Sequence, residues 1–162
     1  MSTQTPERAS SKAGQAPDVE LKLRPSKLFT IVAIFAFVVG GFSALGGIGG
    51  AVYTYQQAAV ENITTPGDAA IAEAPVRGPL TMWAQADIIT EHQLDRTEGL
   101  RYAEMDREHP DRMSWIDATA LTTVLSLGII SYAFSAFAFA VGAVLIGMGL
   151  VVLKLRRTAA AY

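Results

Sequence analysis

The chain has 162 residues, of which 51% are hydrophobic and 17% are charged, with no cysteine and a formal net charge of −2 at pH 7. The lack of cysteine excludes disulfides, thiolate metal sites and a cysteine nucleophile. The nearly neutral charge conceals two long segments without any charged residue, so the composition is that of a membrane protein, and we expect no nucleic-acid partner.

The first 27 residues form a polar N-terminal tail, MSTQTPERASSKAGQAPDVE followed by LKLRPSK. The tail contains hardly any apolar side chain and cannot bury enough surface to offset the entropy lost on ordering. Lysine and arginine next to a membrane span favour the cytoplasmic side. We therefore expect residues 1–27 to be a disordered cytoplasmic tail.

No Asp, Glu, Lys or Arg occurs between Lys27 and Glu61, a gap longer than the about 20 apolar residues that cross a bilayer as a helix. The segment LFTIVAIFAFVVGGFSALGGIGGAVY predicts transmembrane helix 1 over residues 28–53. Its length exceeds the roughly 7–15 apolar residues of a secretory signal, although its glycine-rich end leaves a cleaved signal open. Gly46 and Gly50 have the GxxxG spacing of a close helix contact, and a loosened helix end is the alternative.

Residues 54–118 form an acidic connection with five arginines and twelve acidic residues. Because positive charge concentrates in the tails, we expect this loop to be extracytoplasmic. Proline and glycine break its first part. Helices are predicted near residues 80–98 and 100–108, with Gly99 as the stop between them.

A second charge-free gap separates Asp117 from Lys154. It predicts one long helix over residues 119–153 that contains transmembrane helix 2, with Trp115 as an aromatic side chain at the membrane interface. Small residues at helical steps are expected to face the first span, and they are Ala133, Ala136, Ala140 and Gly147. Residues 154–162 form a basic cytoplasmic tail. The predicted fold class is an all-α membrane protein: a two-span helical hairpin with a partly helical extracytoplasmic loop, in the cell membrane, with both termini cytoplasmic.

Both histidines lie within TMWAQADIITEHQLDRTEGLRYAEMDREHPDR, residues 81–112. A non-haem iron site needs two histidines and a carboxylate that converge on one metal ion. His92 and Asp95 can share a helix face, but His109 lies beyond Gly99 and a turn. The neighbouring acids and arginines have the spacing of ordinary ion pairs along a helix. We therefore predict no catalytic, metal-binding or cofactor-binding residue.

Three stretches in this order, ENITTPGDA, GPLTMWAQADIITEHQL and YAEMDREHPDR, resemble a family of small two-span membrane proteins from actinobacteria. Members carry ITVP-DA, G-P-T-QA-I--H-L and YAELDREDP-R, and the resemblance covers residues 28–155. The chain departs from the pattern after Arg112, where an arginine of the family is missing. Members are often labelled aromatic ring-opening dioxygenase LigA. That label implies iron chemistry for which the two histidines are poorly placed, so what the resemblance implies here is the two-span architecture.

These observations favour a non-catalytic accessory or structural subunit of a larger membrane complex, with respiratory complexes as a reasonable host. Its partners would be the lipid bilayer and other membrane subunits. The alternative is an extracytoplasmic sensor that binds a ligand or cation, and a ring-opening dioxygenase ranks last. The predicted recognition surface on the loop consists of Trp83, Gln85, His92, Tyr102, Asp106, Arg107 and Arg112.

Overall fold

A computed structural model describes residues 27–160 and contains, in this part of the chain, three α-helices and no strand. The helices are α1 (Lys27–Val60), α2 (Pro79–Arg96) and α3 (Arg112–Ala160). The expected disordered tail therefore lies, apart from its last residue, outside the described residues. An all-helical fold is confirmed for the described part.

Two of the helices, α1 and α3, are long and apolar enough to cross a membrane. In their most apolar windows only 17% of the residues of α1 and 11% of those of α3 are buried inside the protein. A core helix of a soluble protein would be mostly buried, because its apolar surface has to be removed from water. The open apolar surface of α1 and α3 is the kind that a bilayer covers.

Small residues bring α1 and α3 into close contact. A Cβ atom added to Gly47 would lie 2.5 Å from the Ser135 carbonyl oxygen, and one added to Gly142 would lie 2.5 Å from the Ala44 nitrogen. Glycine is therefore required at both positions, since any side chain would push the two backbones apart. Two hydroxyl contacts lie along the same seam: Ser43 Oγ donates to the Ala138 carbonyl at 2.7 Å, and Thr54 Oγ1 is 2.7 Å from Ser131 Oγ.

The predicted pairing of small residues between the spans is wrong in register. Gly46 and Gly147 have no atom of a neighbouring helix near their Cβ positions, and the three alanines of the predicted face of α3 are exposed: Ala133, Ala136 and Ala140. Of the predicted residues only Gly50 meets the partner helix, at Ser135. The run GGIGG offers several helical spacings, and the hydroxyl contacts and the close glycine approaches select the face that contains Gly47.

The helix α3 has 49 residues and is therefore about 73 Å long at about 1.5 Å per residue. It begins seven residues before the expected start at 119. Its first part extends beyond the apolar stretch and supports α2, which runs alongside it in the opposite direction. Met82 of α2 lies against Gly128, and Gln93 Nε2 donates to Ser114 Oγ at 2.7 Å.

The helix α2 starts after Gly78, where Pro79 occupies the first helical turn and Thr81 Oγ1 accepts from the Gly78 amide at 3.2 Å. Proline suits this position because its missing N–H would have no partner within the helix. Its inner side joins a small apolar cluster of Val76, Met82 and Leu125. The helix expected over residues 100–108 is absent, and residues 97–111 form turns instead.

Candidate functional site: the cap and the open helix faces

We call residues 61–126, which comprise the loop, α2 and the first part of α3, the cap. Its first segment is shaped by Thr65, which is buried. The Thr65 hydroxyl donates to the Ile71 carbonyl at 2.5 Å and accepts from the Ala74 amide at 2.9 Å. An isolated bridge between Thr64 and Pro75 closes the same loop. One hydroxyl thus organises a ten-residue turn that has no helix or strand of its own.

His92 and Asp68 form a hydrogen bond in which His92 Nε2 lies 2.7 Å from the Asp68 Oδ2 atom, and both side chains are at least half exposed. The hydrogen bond from His92 holds the pKa of the Asp68 carboxyl below its usual value of 3.8. Since both groups are open to solvent, the pair positions the loop against α2 without contributing much to stability. Sequence reasoning missed Asp68, because its partner lies 24 residues away.

Arg112 folds the turn segment back on the start of α3. Its Nη1 atom donates to the Met105 carbonyl at 2.7 Å and to the Tyr102 carbonyl at 3.2 Å. The guanidinium carbon also lies 4.0 Å from the centre of the Tyr102 ring, a cation–π distance. Arginine suits this site because its planar group donates several hydrogen bonds while it stacks on the ring.

Trp115 closes the junction between α2 and α3. It is 6% exposed, and its Nε1 atom donates to the Leu100 carbonyl at 2.9 Å. Thr97 Oγ1 donates to the same carbonyl at 2.6 Å, and Gly99 turns the chain at a φ of 85°. The expectation of an interfacial tryptophan at position 115 is therefore wrong, because this indole is enclosed within the cap.

These contacts explain why residues 100–108 are not helical. The carbonyls of Leu100, Tyr102 and Met105 accept hydrogen bonds from the side chains of Trp115 and Arg112. In a helix those carbonyls would bind backbone amides four residues further along. Side chains from α3 satisfy them instead, and the segment is held as a series of turns.

The predicted recognition residues do not form one surface. Tyr102 and Arg112 are in contact, but both serve the turn segment. His92 pairs instead with Asp68 of the first loop. Trp83 is exposed on α2, and Gln85 is half-buried with its Oε1 atom lacking a hydrogen-bond partner among residues 27–160. Asp106 and Arg107 are exposed in the turns.

His109 does not take part in the hydrogen bond between His92 and Asp68. Its Nδ1 atom accepts a hydrogen bond from the Asp111 amide at 3.2 Å, directly before α3 begins at Arg112. Within the described residues 27–160, no three His, Asp or Glu side chains are grouped so that they could hold a metal ion.

An apolar cavity of about 230 Å³ opens between the end of α1, the loop and α3. Its lining includes the buried side chains of Val76, Met82 and Leu125 and the exposed polar residues Gln57 and Glu61. A shallow groove of about 620 Å³ lies beside Tyr102, Trp115 and Ile116. Both are lined mainly by apolar side chains.

A second row of small residues runs along α3 and is not used by α1. At about 100° per residue, Ala140 lies about 160° around the helix from the contact residue Gly142. Three- and four-residue steps extend this row, which we call the small-residue row: Ala133, Ala136, Ala140, Ala143 and Gly147. The four alanines are exposed, and a Cβ on Gly147 would meet no atom within 4 Å.

Comparison with known proteins gives no match: no family model, no curated protein and no solved structure is similar to this chain.

Proposed function

We propose that the protein is a non-catalytic accessory subunit of a larger membrane complex and that α1 and α3 anchor it in the cell membrane as a two-span hairpin. The observation that carries this proposal is the small-residue row of α3. It faces away from α1, and helix interfaces in membranes are built from such residues because they let backbones approach closely. A neighbouring transmembrane helix is the partner that this row fits.

The distribution of charge supports an orientation for the hairpin. Lys27 and Lys154 lie at one pair of span ends, whereas Glu61 and Asp117 lie at the other. Positive charge favours the cytoplasmic side, so we place both tails in the cytoplasm and the cap outside. The resemblance to small two-span actinobacterial proteins fits the same arrangement.

The variant Ala136→Leu with Ala140→Leu tests the proposal. Two leucines would block close approach of a partner helix, and a clash of about 1–3 kcal/mol lowers recovery of the partner about tenfold. The measurement is pull-down of tagged full-length protein in mild detergent, with stoichiometric partners quantified by mass spectrometry.

Phe134→Trp is the matched control, because it adds bulk at an exposed position of α3 about 160° around the helix from Ala136. It should leave partner recovery unchanged. Wild-type protein that is recovered alone, with no stoichiometric partner, would overturn the subunit proposal.

The alternative function is a sensor that binds a small ligand through its cap, and the 230 Å³ cavity favours it. Binding sites for small molecules are concave and mainly apolar with a few polar groups at defined places, as Gln57 and Glu61 are here. Two results together would favour the sensor. The protein would be recovered without a partner, and a small molecule that co-purifies with the wild type would be lost in Val76→Trp.

A further inference from the structure

The exposed side of α2 changes character along its length. Leu80 and Trp83, at its beginning, are 71% and 51% exposed. Further along the same side follow Asp87 and Glu91, which are also exposed, since residues three and four apart share a helix side. Tryptophan is enriched at the membrane interface and acidic side chains are costly in lipid, so this order is expected of a helix that leaves a lipid surface for water.

The contacts between α2 and α3 show where Leu80 and Trp83 lie along the axis of α3. A Cβ on Gly128 would lie 2.7 Å from the Met82 sulfur, and the Tyr132 hydroxyl donates to the Arg77 carbonyl. The charge-free stretch before Lys154 is longer than the about 20 residues that a bilayer needs, and we place the membrane span within it near residues 127–153. Gly128 and Tyr132 lie where this span begins. Leu80, next to Arg77 and Met82 in the chain, is therefore at the height where α3 leaves the bilayer.

Other amphipathic side chains lie at the same height. Tyr53 and Tyr55 are exposed near the end of α1, and Thr54 between them contacts Ser131 of α3. The Arg77 guanidinium carbon lies 6.0 Å from the centre of the Tyr55 ring. Tryptophan and tyrosine are enriched where a membrane meets water, so these side chains form a belt around the hairpin.

We infer that Leu80 and Trp83 seat the cap on the bilayer, with both side chains inserted among the lipid headgroups and upper acyl chains. Lipid is the occupant because the pair continues the apolar surface of the two spans at its edge. This inference rests on the membrane-spanning part of the proposed function and is independent of the subunit role. It assigns the membrane interface to Trp83 in place of Trp115.

Tryptophan fluorescence tests the inference in full-length protein reconstituted into phosphatidylcholine vesicles. The chain has two tryptophans, so subtraction of the Trp83→Phe spectrum from the wild-type spectrum isolates Trp83 and leaves the buried Trp115 intact. Lipids brominated in the upper acyl chain should quench this component about twofold, and aqueous iodide should quench it little.

Glu91→Trp in the Trp83→Phe background is the matched control, because position 91 shares the helix side and lies about 12 Å further from the membrane. Its tryptophan should respond to iodide and not to brominated lipid. If the Trp83 fluorescence is quenched by iodide and not by brominated lipid, the inference about Trp83 is overturned, and the membrane-spanning proposal still stands. Before the fluorescence measurement, the vesicles are washed with alkaline carbonate and floated on a density gradient. If carbonate removes the protein from the vesicles, the membrane-spanning proposal is overturned together with this inference.

Discussion

At the scale of single residues, the cap is held by side chains that bind the backbone of turns. Thr65 binds the first loop, and Arg112 and Trp115 bind the segment after α2. A buried carbonyl without a partner is costly, so each of these side chains decides the path of several residues. Such contacts suit a segment that is too short and too polar to form a core of its own.

The pair of Asp68 and His92 gives a prediction for the pKa of Asp68. The folded protein lowers this pKa below 3.8, so the pair stabilises the fold above pH 3.8 and this contribution is lost as the pH falls through the lowered value. His92→Gln should raise the pKa of Asp68 toward 3.8. Carbon-detected NMR titration of the labelled protein in micelles measures this shift.

Glu91→Gln is the control for the titration, since it removes a neighbouring charge that does not contact Asp68. An Asp68 pKa that is the same in wild type and in His92→Gln would show that the two side chains are apart in solution.

At the scale of helices, the contact between α1 and α3 depends on the positions of individual glycines. Gly46 and Gly47 are adjacent in the chain, yet a Cβ atom added to Gly46 would meet no atom within 4 Å, whereas one added to Gly47 would clash with the backbone of α3. The two positions have opposite requirements, because one tolerates a side chain and the other does not.

Gly47→Ala should therefore destabilise the hairpin by about 1–3 kcal/mol, because the added methyl group clashes with the backbone at Ser135 and Phe139. Gly46→Ala should be neutral or stabilise it by about 0.5–1 kcal/mol, because alanine loses less backbone entropy in a helix. Unfolding in SDS, followed by circular dichroism, compares the two variants. Equal effects would contradict the assigned register.

At the scale of the whole molecule, the cap rests on one long helix. The helix α3 contributes to the contact with α1 at one end and to the contact with α2 at the other. The cap and the hairpin of α1 and α3 therefore share one long helix, and a change of tilt in α3 would move both. This coupling would suit the proposed accessory subunit, because the tilt of its helices would set the position of the cap.

Cysteine labelling tests the proposed orientation, because the native chain has no cysteine. In intact cells a membrane-impermeant maleimide should label Glu98→Cys, which is exposed in the cap, and should not label Ser10→Cys until the cells are permeabilised. The reverse pattern would contradict the assignment of both tails to the cytoplasm.

The sequence by itself indicated the features that depend on local composition. Two gaps without charge predicted two apolar helices, because a bilayer requires a run of about 20 apolar residues. Gly99 marked the end of the helix predicted near residues 80–98, because glycine frees the backbone locally and often follows the last turn of a helix. The division into an acidic loop and basic tails also needed no structure. Trp83 was among the predicted recognition residues, but its position relative to the start of the apolar part of α3 could not be read from the sequence.

Tertiary structure decided which residues meet. The contact between α1 and α3 joins Ser43 to Ala138, 95 residues apart, and no local pattern distinguishes Gly47 from Gly46 as its centre. Likewise, residues 100–108 have helical spacing but are held in turns by side chains of α3. The physical reason is the same in both cases: hydrogen bonds and close contacts between distant segments outweigh local preferences, which differ by less than about 1 kcal/mol per residue.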